Sequence, residues 1–201
     1  MKREFAALSH ITLKPQTTFE HPPQPPEIIH LDSPAPTVMT DFKFVHPVTT
    51  DPDVPIDQAL EKMKTSGVRL LLVTNEASEI IGLITAKDIQ GERPIRMVED
   101  KSVRRSQITV AMIMDPQPVI PVLNMLSVRH AQVGHIIETL RQLERQHILA
   151  VDIDEANGDH RVCGLFSTSR ISKLMGRDIT EEVAPAHSLA EMLHQMHPGA
   201  G

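Results

Sequence analysis

The sequence has no tryptophan and no tyrosine, and five phenylalanines are its only aromatic rings apart from eleven histidine imidazoles. A single-strand nucleic-acid binder needs aromatic platforms, and a duplex binder needs an excess of cations. Here 20 Lys and Arg stand against 26 Asp and Glu, a formal net charge of −6, so nucleic acid is excluded as a partner. Cysteine is nearly absent too. Cys163 alone cannot form an intrachain disulfide, and a reducing, cytoplasmic setting is expected. No apolar run approaches the roughly 18 residues needed to span a bilayer, and the basic start leads only into Phe5, Ala6, Ala7 and Leu8 before polar residues return. No membrane association is expected. With 40% apolar and 23% charged residues in 201, the chain should fold as one ordinary globular unit or two small ones around a shared core.

What is present is unevenly distributed. Seven of the 16 prolines precede residue 37, where fixed φ and missing donors prevent helix or central strand, so residues 1–37 read as an extended arm. Phe19, Ile28, Ile29 and Leu31 give that arm something to dock with. After a short strand at Val48-Thr49-Thr50, Pro55 opens a helix with Ile56, Ala59, Leu60 and Met63 at helical spacing, and Gly67 is placed to end it in a left-handed cap. Arg69 to Thr74 and Glu79 to Ile84 read as two strands, and Thr85 begins another short helix.

The same order returns. Ile136, Ile137, Leu140 and Leu143 share a helix face; His147 to Ile153 and Arg161 to Phe166 are strands around an Asn157-Gly158 turn; Ser167 opens a helix ending at Gly176. Ile56 and Ile136 are 80 apart, as are Leu60 and Leu140; Gly82 and Gly164 are 82 apart, as are Thr85 and Ser167. This spacing predicts two extra residues in the second hairpin turn. Gln90 to Arg105 reads as a polar linker, Ile108 to Val133 as a Met- and Pro-rich entry to the second copy, and Leu189, Met192, Leu193 and Met196 as the stripe of a last amphipathic helix.

Each copy ends its last strand in a glycine and opens the next helix with a hydroxyl: Gly82-Leu83-Ile84-Thr85-Ala86-Lys87-Asp88 and Gly164-Leu165-Phe166-Ser167-Thr168-Ser169-Arg170. With Val38-Met39-Thr40 as entry motif and Ile56 to Leu60 as first helix, residues 38 to about 176 resemble the CBS domain family, as a tandem pair or Bateman module in a free-standing protein. The resemblance implies an α/β fold of two strand-helix-strand-strand-helix repeats packed as a pseudo-twofold pair, with an extended N-terminal arm and a C-terminal helix. The expected division is 1–37 arm, 38–106 first repeat, 107–180 second repeat and 181–201 C-terminal helix and tail. It also implies a regulatory, non-catalytic module that binds an adenosine nucleotide, AMP, ADP or ATP, and in some members S-adenosylmethionine. The ligand residues carried over by position are Gly82, Leu83, Ile84, Thr85 and Asp88, with Ser167 and Arg170 in the second copy. In the family the hydroxyl contacts phosphate and the carboxylate holds the ribose hydroxyls. Arg170 departs from that pattern, because a guanidinium only donates.

The residues themselves leave alternatives open. A strand feeding directly into a helix start exposes orphan amides beside a positive dipole end, a place for phosphate. Yet Thr85-x-x-Asp88 also has the spacing of a capping box. Arg93, Arg96, Arg104 and Arg105 read either as a solvated linker or as a reach toward a bound phosphate. The histidines, including His130 with His135 and His187, His194 and His197, read as solvated surface rather than a metal site, since no ligand-rich loop completes one. Cys163 reads as a small buried hydrophobe, against an enzyme that would use it as nucleophile. The function of a different class is an interaction scaffold that has lost its ligand and only dimerises. Because the helices carry more apolar surface than one thin layer buries, a homodimer with a possible further protein target is expected. Light scattering at micromolar concentration should give a particle of twice 22.4 kDa; a monomer throughout that range rejects it.

Overall fold

The computed structural model describes residues 28–183 except Ser102, together with Thr12, Lys14, Pro15 and Thr17. Phe19, the stripe from Leu189 to Met196, and His187, His194 and His197 lie outside the described residues.

The chain enters through a one-turn 3-10 helix, Ala35–Val38, and a two-residue strand β1 (Thr40–Asp41). The first copy follows as β2 (Thr49–Thr50), α1 (Ile56–Ser66), β3 (Leu70–Thr74), β4 (Ile80–Thr85) and α2 (Ala86–Gln90). Ile56, Ala59 and Met63 form the buried stripe of α1, which stops where Gly67 turns left-handed at φ 65°. Next come α3 (Glu92–Lys101), α4 (Val110–Ile113) and β5 (Asp115–Pro116). The second copy is β6 (Val122–Asn124), α5 (Met125–Val128), α6 (Val133–Gln142), β7 (His147–Ile153), β8 (His160–Ser167) and α7 (Thr168–Met175), followed by α8 (Thr180–Val183).

Two sequence expectations change. The polar stretch after Gln90 is not a linker but α3. Pro94 sits in its first turn, where a missing N–H is harmless, and Glu92 pairs with Arg96 one turn on. The repeat offset in the helix and first strand is 77, not 80. Val68 N donates to Met63 O as Arg145 N does to Leu140 O, and Ala86 N donates to Arg69 O as Thr168 N does to Gln146 O. An apolar stripe slipped by three residues, nearly one helical turn, still overlays itself, so periodicity alone admitted the wrong register. With the last strand at 82, the second hairpin holds five extra residues rather than two.

The strand orders are β2-β3-β4-β5 and β1-β8-β7-β6. Each sheet therefore takes one edge strand from the segment leading into the other copy. The bonds around the exchange repeat: Ile56 N donates to Ile108 O and Val110 N to Val54 O, while Val133 N donates to Ser33 O and Ala35 N to Ala131 O. The docked arm residue Ile29 is buried in the second core, whereas Ile28 and Leu31 are exposed. Between the sheets, Leu70, Leu72, Leu83 and Leu149 form a third core that joins the copies.

The motif glycines are explained by this exchange. A Cβ on Gly82 would meet Met114 Sδ at 2.6 Å and Asp115 O at 2.8 Å, and one on Gly164 would meet Met39 Sδ at 2.5 Å. Each glycine lets the borrowed strand approach. Gly82→Ala should destabilise the chain by about 1–3 kcal/mol, more than Gly164→Ala, because Asp115 O is backbone and cannot swing aside. Urea unfolding that ranks the two variants the other way rejects this account.

Candidate functional site

The β4–α2 junction turns from strand to helix at Thr85, and its side chains close a complete capping box. Asp88 N donates to Thr85 Oγ1 at 3.2 Å, and Thr85 N donates to Asp88 Oδ2 at 2.9 Å. The Thr85 hydroxyl donates to that same oxygen at 2.6 Å. Asp88 Oδ1 faces Arg93 Nη1 at 3.3 Å. Arg93, at the start of α3, is held by donating to Ile113 O and Asp115 Oδ1, both at 2.7 Å. Asp115 Oδ2 accepts from Arg145 Nη1 at 2.6 Å. Burial alone would raise the Asp115 carboxyl, but the hydrogen bonds from Arg145 and Arg93 outweigh it and hold the group below its ordinary range.

The other motif residues are structural in their surroundings. Gly82 underlies Met114, Leu83 belongs to the core between the sheets, and Ile84 is buried in the core of the first sheet. Ser167 caps α7 by accepting from Arg170 N at 3.3 Å, and Arg170 Nε donates to Val38 O at 3.2 Å. Val38 and Ile113 end equivalent one-turn helices. An arginine thus satisfies the orphan carbonyl in both copies, from different positions. The structure brings Thr85 and Asp88 together and Ser167 and Arg170 together, as two separate helix starts. Among the other arginines, Arg96 pairs with Glu92, and Arg105 donates to Asp57 and to Ile89 O.

Beside the first junction lies a cavity of about 450 Å³ lined by Arg69, Ala86, Lys87, Gln90, Gly91 and Gln146. Arg69 and Lys87 form no ion pair among the described residues. Gln146 is the second copy's counterpart of Arg69, so the cavity spans both copies. A smaller cavity of about 340 Å³ is lined by Arg93, Arg96, Met97 and residues 112–115. Sequence reading missed Arg69, Asp115 and Arg145. A signal existed for Asp115: Ile113-Met114-Asp115 stands where the first entry has Val38-Met39-Thr40.

Residues 37–93 match the family model of the CBS domain. Over those residues the chain is similar to a CBS domain. The second copy lies outside the matched residues and repeats the first copy's strand order and hydrogen bonds. A solved structure of an uncharacterized conserved protein from Pyrococcus horikoshii shares the fold, at 21% identity and TM-score 0.53, covering 74% of this chain and 96% of that one. A CBS-domain containing protein from Agrobacterium tumefaciens aligns at 20% identity over 64% of this chain and 83% of its own, with TM-score 0.48. For a CBS-pair protein from Arabidopsis thaliana the values are 18%, 70%, 92% and 0.46. No curated protein matches the sequence.

Among the described residues, no cluster of three His, Cys, Asp or Glu is placed to hold a metal, and no helix is long and apolar enough to cross a membrane. His135 Nδ1 accepts from Gln132 N, a capping role. Cys163 is half-buried, its thiol pushed up by burial and by nearby Asp152 and donating to Ala150 O, the opposite of a nucleophile's environment.

His147 stands where the first copy has Leu70, beside Arg69. Burial, then the Arg69 charge, lowers its pKa to about 4. The unfolded chain, titrating near 6.5, takes up the proton first. The contribution of this group is therefore intact above about pH 6.5 and lost as pH falls from there toward 4, by about 2 kcal/mol between pH 7 and pH 5. His147→Leu should remove that part of the acid sensitivity. Equal loss of melting temperature from pH 7 to pH 5 in both proteins rejects the assignment.

Proposed function

We propose that the chain is a regulatory module that binds an adenosine nucleotide, AMP, ADP or ATP, and performs no chemistry of its own. The observation that carries this reading is the cavity beside the start of α2 where Arg69 and Lys87 stand without ion-pair partners among the described residues. A phosphate suits it, because forked and point cations recognise phosphate oxygens strongly. Thr85 and Asp88 then supply the hydroxyl and the ribose acceptor, with Gly82, Leu83 and Ile84 delivering the chain to that point. Two cations lining one cavity favour an anionic ligand, which ranks the cationic sulfonium of S-adenosylmethionine second. The second junction, with Ser167 and Arg170, has no carboxylate for a ribose and its guanidinium is already turned to Val38 O, so its cleft binds weakly. The module acts as a cytoplasmic homodimer that passes its state to a protein target.

A dimerising scaffold without ligand is the second reading. It is favoured by the closed capping box, which satisfies Thr85 and one Asp88 oxygen from within the chain.

Titration calorimetry with AMP, ADP, ATP and S-adenosylmethionine separates the two. A nucleotide at 100 times its dissociation constant should add about 2.7 kcal/mol of stability. Arg69→Ala should weaken it at least tenfold with little change in melting. Asp88→Ala should weaken it and also remove about 1 kcal/mol of helix-start stability. No heat and no thermal shift with any nucleotide leaves the scaffold.

A further inference from the structure

Asp115 is the only charged side chain among the described residues that is fully buried, at 7% exposure. Its two oxygens serve different copies: Oδ1 accepts from Arg93 in α3, and Oδ2 accepts from Arg145 just ahead of β7. Arg93 also faces Asp88. Asp88, Arg93, Asp115 and Arg145 are thus one row of alternating charge, running from the first helix start to the second copy's α6–β7 loop. Buried ion pairs add little net stability, because desolvation offsets their attraction. The row calls for another role.

The second copy supplies an internal comparison. The matched strand registers and loop bonds place Arg170 opposite Asp88, Met175 opposite Arg93, Thr40 opposite Asp115 and Val68 opposite Arg145. None of these pairs with the next, so the row belongs to one cleft alone. Its far end is a loop with stored strain: Glu144 has φ 50°, where the first copy uses Gly67. A non-glycine residue there is held by its contacts rather than by its own preference.

We propose that this row is a relay coupling the Thr85–Asp88 site to the conformation of residues 143–146. Arg93 divides its charge between two carboxylates. When another hydrogen-bond donor engages Asp88 Oδ1, the oxygen that faces Arg93, or a neutral residue replaces Asp88, Arg93 shifts its full charge to Asp115 and competes with Arg145 for it; the loop that Arg145 anchors then opens more often. The biological use of the relay rests on the nucleotide reading, but the coupling is a property of the ligand-free chain.

Hydrogen exchange on the full chain tests it, since Arg145 N is protected by its bond to Leu140 O. Asp88→Asn, which keeps a capping acceptor but removes the charge, should speed exchange across 143–146 at least threefold. Thr85→Ala, which harms the cap, spares the charge and takes a donor from Asp88, should not speed it. In an Arg93→Met background, where the moving cation is gone, Asp88→Asn should have no effect on the loop. An unchanged loop in Asp88→Asn, an equal response to Thr85→Ala, or an effect that survives Arg93→Met overturns the relay. AMP on the wild-type chain separates the two claims. Binding with faster loop exchange supports both, and binding without it overturns the relay. If none of AMP, ADP and ATP binds, the nucleotide reading fails, and Asp88→Asn alone decides the relay.

Discussion

Two residues close each sheet, and they come from the wrong side. β5 belongs by sequence to the entry of the second copy and pairs with β4; β1 precedes the first copy and pairs with β8. Almost everything at the candidate site follows from this exchange. It brings Met114 over Gly82 and Met39 over Gly164, so a side chain at either glycine fits only if its neighbours move. It sets the Ile113 and Val38 carbonyls where arginines reach them, and it carries Asp115 into the first sheet, within reach of a second-copy arginine. The two copies share backbone hydrogen bonds, so neither has a complete sheet alone.

On that common frame the copies have diverged in charge. Where the first has Thr85 and Asp88 the second has Ser167 and Arg170; where the second has His147 the first has Leu70; where the second entry has Asp115 the first has Thr40. The hydroxyl at each helix start survives because the cap needs it in both copies. The carboxylate survives in one only. The pairing of a basic cavity with a retained carboxylate makes the first junction chemically richer than the second, although both are built from the same strand and helix.

Much of this was legible in one dimension because it is local. Gly67 and Gly176 end helices as their positions implied, and both adopt left-handed backbone. The hairpin strands were placed within about a residue at most ends, and the Thr85-x-x-Asp88 spacing already offered the capping box as one of its two readings. Three things were missed for definite reasons. Helical periodicity tolerates registers one turn apart: an offset of 80 still sets Ile56 and Leu60 on Ile136 and Leu140 but puts Ala59 on Thr139, whereas the true 77 sets Ile56, Ala59, Leu60 and Met63 all on apolar residues, the register that the strand and loop bonds fix. The grouping of residues 88, 93, 115 and 145 depends on a crossing of chain segments that no local pattern encodes. α3 was hidden by Gly91 and Pro94, which read as punctuation but here end one helix and begin another.

The exchange also orders events in time. Leu83 meets Asp115 across 32 residues, whereas Thr40 waits for Leu165 across 125. The longer closure costs about 1 kcal/mol more in chain entropy. During synthesis the first sheet has all four strands once residue 116 has emerged, while the second must recruit an edge made ahead of the first copy. Until β8 arrives, Thr40 and Asp41 are an orphaned strand. The proline-rich lead-in suits that wait, since residues that cannot donate to a ladder make poor partners for a neighbouring chain.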